Sequence, residues 1–142
     1  RNNTMAYRST TAALVGTLIF ASAALANPAA SNADNPKAYR KDAARHIYAQ
    51  NASLIYKGKL PPLVHAIVVA EVDVDGSGNV RDINMIRVPT HAPDVTDRVK
   101  QMIHAASPLP APQRMGGVKY LDIWLVDKSG RFQLDTLTEG QR

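Results

Sequence analysis

Residues 73–84, DVDGSGNVRDIN, place acidic side chains at the first and third positions, a serine at the fifth and a glycine at the sixth. A calcium loop of about twelve residues opens in this way, and it then needs oxygen ligands at its ninth and twelfth positions, the last usually a bidentate Glu. Here the ninth position is Arg81, a cation aimed at a cation site, and the twelfth is Asn84, which has no carboxylate. The flanking runs are strand-like, whereas a calcium loop of this kind sits between helices. Asp, Gly, Ser and Asn also supply the backbone angles of a tight turn. The stretch therefore predicts a hairpin turn and no metal.

The other groups capable of chemistry are scattered. His46, His65, His91 and His104 fall on a predicted helix, strand, loop and helix, with no close metal-ligand spacing and no cysteine to complete a site. Nucleophilic catalysis would require a Ser or Cys beside a base, but the serines lie in turns and leaders and there is no G-x-S-x-G. Glu71 and Asp73 share a strand face that reads as solvated. The sequence points away from an enzyme and calls for no cofactor.

The elements that position these residues follow from the hydrophobic pattern. Residues 5–26 combine an early Arg8, an apolar run and the ending Ala24-Leu25-Ala26, the form of a secretory signal peptide cut after Ala26. The rival is an uncleaved anchor, but the run is short for a bilayer, which takes about 20 apolar residues. Residues 1–26 are thus read as upstream residues plus signal peptide, 27–36 as a flexible leader and 37–142 as one domain. Two of the 17 basic residues lie in the first segment, and the remainder face 12 acidic ones. This mild, interspersed positive balance marks a solvated surface more often than a nucleic-acid stripe, and no nucleic-acid partner is expected. An exported chain without cysteine has no disulfides, which fits a bacterial export compartment.

From Lys37 the apolar residues Tyr39, Ala43 and Ile47 recur at helical spacing, with Leu54 and Ile55 two turns on and Gly58 and Pro61-Pro62 as the stop. Residues 64–74 form a β-branched strand whose face is Val68, Ala70, Val72 and Val74. Residues 80–88 form the next strand, with Val80 out of step with Ile83 and Met85, so a bulge near the turn is expected. Pro93 and Asp94 open a second helix carrying Val95, Val99, Met102 and Ile103 to about Ala106. Three prolines in residues 107–113 forbid helix there. Residues 118–126 make a third strand and residues 131–137 a short fourth. The order predicts an α+β fold, a small antiparallel sheet of three to four strands with two helices on one face.

This order and several local motifs resemble the C-terminal domain of the TonB family of periplasmic energy transducers over about residues 48–126. The resemblance rests on KLPP (residues 59–62) before the valine-rich strand, on the hairpin DVDGSGNVRDI, and on HAASPLPAP (residues 104–112), where a helix runs into a proline-rich turn. It implies a periplasmic domain that binds an extended segment, such as that of an outer-membrane transporter, by adding a strand at a sheet edge, where unpaired N–H and C=O groups are available. If the second helix crosses over, the first strand is central and the edge is Val118, Lys119, Tyr120, Leu121, Asp122, Ile123, Trp124, Leu125 and Val126. Lys119, Leu121 and Ile123 would then lie on one face, and Tyr120 and Trp124 on the other, as core residues beneath the helices.

Two departures from the family pattern matter. No long Pro/Lys/Glu-rich spacer is present, and residues 131–137 are placed to cover the docking edge in cis. The expectation is a free TonB-like module that binds protein, open to homodimerisation and detached from the membrane once the signal is cut. The alternatives are an anchored transducer, if residues 5–26 are retained, and a secreted calcium-binding module using residues 73–84.

Overall fold

The computed structural model describes residues 27–142, so the expected signal peptide and its cleavage lie outside the described residues. The elements run α1 (Pro36–Gln50), β1 (Ala66–Asp75), β2 (Val80–Arg87), α2 (Pro93–Ala106), β3 (Gly117–Val126) and β4 (Phe132–Leu134), with 3-10 turns at Ala52–Leu54 and Asp135–Leu137. The sheet is antiparallel throughout, in the order β2-β1-β3-β4. The first strand is central and α2 is the crossover, as the sequence predicts. No helix among the described residues is long and apolar enough to cross a membrane.

β1 alternates strictly between buried and half-buried positions, and Val68, Ala70, Val72 and Val74 all face the core. Across β1, Tyr120 and Trp124 of β3 lie opposite Val72 and Val68. α1 packs over β3, and α2 over β1 and β2. Tyr39 on α1 meets Tyr120 edge-on at 5.4 Å and donates its hydroxyl to Pro110 O at 2.8 Å. The helix layer on one face and the apolar face of the sheet enclose one core.

Two elements differ in extent from the sequence reading, the first helix and the fourth strand. α1 ends at Gln50, not beyond Ile55, because Asn51 turns back on it: its N–H reaches Ile47 O and Tyr48 O, and its side chain donates to Ile47 O at 2.9 Å. Leu54 and Ile55 therefore pack from a 3-10 turn and its exit. The fourth strand is only Phe132–Leu134, and the chain then coils into the 3-10 turn Asp135–Leu137.

The segment read as a flexible leader is docked. Ser31 is buried, its N–H donates to Ala111 O at 2.9 Å, and its hydroxyl donates to Asp42 on α1. Asn35 then caps α1 by accepting the Ala38 N–H at 2.9 Å, with Pro36 at the first helical position.

Candidate functional site: the outer edge of the third strand

The hairpin loop is built as a turn. One carboxylate oxygen of Asp75 accepts the N–H groups of Ser77 and Asn79, both at 2.9 Å, and the other faces the Asn79 side chain. The Asn79 N–H above all, with the Ser77 N–H, holds the Asp75 carboxyl below the usual carboxylate range. Gly78 takes a φ of +92° and leans on the proline-rich turn, where Leu109 N–H donates to Gly78 O at 2.8 Å. Among the described residues, no three His, Asp or Glu side chains are grouped to hold a metal ion.

Two of the four histidines make side-chain hydrogen bonds, each to a backbone carbonyl of a distant segment. His46 Nε2 lies 2.7 Å from Ala106 O and links α1 to the end of α2. His91 Nε2 lies 2.7 Å from His65 O, with the two rings edge-to-face at 5.4 Å.

The sheet has two outer edges. β2 is one, and two register shifts against β1 put extra residues into it, the first near the turn as the phase of Val80 predicts. Bulges of this kind, together with Arg81, Asp82 and Arg87, blunt an edge against pairing.

The other outer side is that of β3, and the chain covers it in part. β4 pairs with β3 only at Trp124, Leu125 and Val126, which lie opposite Leu134, Gln133 and Phe132. Over these three positions the expected docking edge of residues 118–126 is not free, because the chain's own C-terminal segment occupies it. Ile123 is covered differently: its N–H donates to the carboxylate of its neighbour Asp122 at 2.9 Å. Strand groups repeat their direction every second residue, so the backbone groups of Leu121 and Lys119 point the same way as those of Ile123. No described strand pairs with them on that side. The open stretch is therefore short, running from Gly117 to Leu121.

Asp122 anchors the boundary between the open and covered halves. It is 3% exposed, on the core face between Tyr120 and Trp124. One carboxylate oxygen accepts the Thr136 hydroxyl at 2.8 Å. The other faces the Ile123 N–H, the Thr136 N–H and, at 3.4 Å, Arg40 Nη2. Arg40 also donates from Nε to the Thr136 hydroxyl at 3.0 Å, while its Nη2 stands 3.9 Å from Asp135. Burial pushes the Asp122 carboxyl above the usual carboxylate range; the Ile123 N–H, the Thr136 hydroxyl and Arg40 act against that rise without cancelling it.

A second buried polar residue holds the covering segment. Gln133 is 1% exposed. Its Nε2 donates to Tyr56 O at 2.8 Å and Gly58 O at 2.7 Å, and its Oε1 accepts from Thr138 and from the Glu139 N–H. The segment is thus flanked by β3 on one side and by residues 55–58 on the other, where Tyr56 N–H donates to Phe132 O at 2.9 Å.

Sequence reasoning placed the nine residues 118–126 together on one strand, as the structure does, and put Tyr120 and Trp124 in the core. The Asp122–Arg40–Thr136 cluster and, separately, the buried Gln133 were not singled out there. The signal for Asp122 was present: it shares the parity of Tyr120 and Trp124, so a carboxylate on that face had to be buried and paired. Nothing comparable marked Gln133, whose partners are backbone carbonyls far away in the chain. A scan against family models and searches of curated proteins and of solved structures each found no match to this chain.

Proposed function

We propose that this chain is a periplasmic, TonB-like protein-binding module that does no catalysis and engages an extended segment of an outer-membrane transporter, or of another envelope protein, by strand addition at β3. The observation that carries this reading is the outward backbone of Lys119 and Leu121, which no strand among the described residues pairs, on a strand whose other side is fully paired to β1. The helix-hairpin-helix-strand order and the central first strand support it as well. The competing edge, β2, is bulged and charged.

The test is amide exchange with an added transporter peptide carrying the extended TonB-box segment. Protection should rise at Lys119 and Leu121 and leave β2 unchanged. Protection on β2 alone, or on neither strand, rejects the β3 edge. Localisation is tested separately by the intact mass of the exported protein, which should begin at Asn27; a mass retaining residues 5–26 in a membrane fraction would make the chain an anchored transducer.

A further inference from the structure

We propose that the C-terminal segment 132–136 is a resident ligand of the β3 edge, and that it displays the pattern the edge recognises: apolar, carboxamide, apolar, any residue, hydroxyl. This inference rests on the strand-addition reading and specifies its partner. Phe132 and Leu134 are fully buried, and the Phe132 ring lies 4.7 Å from Trp124 and 6.2 Å from Tyr48. Between them, Gln133 points to the other side and donates to two backbone carbonyls, Tyr56 O and Gly58 O. Those carbonyls demand a donor. A carboxamide supplies two, whereas a carboxylate would set negative charge against them.

The hydroxyl position follows from register. Trp124, Leu125 and Val126 pair with Leu134, Gln133 and Phe132, so the same antiparallel ladder, continued, sets Thr136 opposite Asp122. Thr136 donates to Asp122 even though the chain has left the strand and entered a 3-10 turn. A ligand that stayed extended would keep that hydroxyl opposite Asp122. It would also reach the open groups of Leu121 and Lys119, which the resident segment never pairs. The partner gains pairs there that the cis segment lacks, and this is what lets it compete with a segment held at the high effective concentration of a short tether.

Discrimination comes from the buried Asp122 and from two carbonyls that the bound segment covers. A peptide with an aliphatic residue in place of the carboxamide leaves Tyr56 O and Gly58 O without donors, and one lacking the hydroxyl removes a donor from Asp122. Each loss should weaken binding by about tenfold.

The experiment uses the full chain and a fluorescein-labelled peptide of its own residues 131–138, RFQLDTLT. Binding is read by polarisation against the parent and against a Gln133→Leu, Thr136→Val chain, in which the resident segment is weakened and the edge is intact. The peptide should bind the double variant at least about tenfold tighter than the parent, and a peptide carrying the same two changes should lose that gain. If the double variant does not fold, a protease site placed in the exposed Lys128–Ser129 turn and cut in the folded chain allows the same exchange with a labelled peptide of residues 129–142. Equal binding of the patterned and altered peptides overturns the recognition pattern and leaves strand addition standing. No binding of any peptide in either format, with β3 exchange unchanged, overturns strand addition too.

Discussion

Thr136 donates its hydroxyl to the buried Asp122 carboxylate at 2.8 Å, and this bond fastens the C-terminal segment across the middle of β3. Arg40 contributes from α1, reaching both the Thr136 hydroxyl and Asp122, so helix, strand and tail meet at one carboxylate. Where this bond sits, the sheet edge changes from covered to open.

Thr136→Val should therefore destabilise the chain by about 1–3 kcal/mol, the range for a buried acceptor deprived of its donor. In a double-mutant cycle with Asp122→Asn the two changes should be strongly non-additive. Denaturant unfolding measures both. Strict additivity would show that the 2.8 Å bond carries no coupling.

The pH dependence of Asp122 has a definite sign. Its carboxyl is raised in the folded chain by burial, so the folded state holds the proton more tightly than the unfolded one. The stability linked to it is fully present below the unfolded value, about 3.9, and is lost as pH rises through the raised folded value. Relative to Asp122→Asn, the parent should gain stability as the solution is taken from neutral into that acid window. Melting temperatures of the two proteins across pH 4–7 test this, and parallel curves would refute it.

The hairpin turn should be indifferent to calcium, because the Asp75 oxygens already face Ser77 and Asn79. Millimolar calcium should leave the melting temperature unchanged. A rise of several degrees that disappears in Asp73→Ala would establish a metal site instead.

Gly78→Ala attacks the same turn sterically. The residue has a φ of +92°, and an added Cβ would collide with the carbonyl of Leu109. The loss should exceed about 1 kcal/mol. Gly58→Ala also meets a positive φ but open space, so it should cost less. The two denaturation midpoints, compared directly, separate strain from collision.

Ser31→Ala should loosen the docked N-terminal segment. The hydroxyl donates to Asp42 and accepts the Ala33 N–H, and net hydrogen-bond values put the loss at about 1 kcal/mol or somewhat more. Amide exchange at Ser31 and Ala33 should quicken while β1 stays protected. Unchanged exchange would mean that the segment is held by its backbone bond to Ala111 alone.

Elements with strong periodicity were legible from local pattern. The alternation of β1, the face of α2 from Val95 to Ile103, the hairpin and its bulge, and the α+β order all come from local pattern, because burying one face fixes which residues repeat at two or at 3.6. The central place of β1 followed as soon as α2 was read as a crossover. The remaining features depend on contacts between distant parts of the chain. α1 stops at Asn51 because one side chain turns back to Ile47 O, a contact that outweighs the apolar spacing continuing to Ile55. Residues 27–36 look like a leader by composition, yet Ser31 finds Ala111 and Asp42 across the fold. Gln133 is polar in a segment read as alternating, and it is buried because Tyr56 O and Gly58 O arrive from 77 and 75 residues away. A buried polar group is tolerable only where its partners meet it, and a one-dimensional pattern carries no record of which distant carbonyls those are.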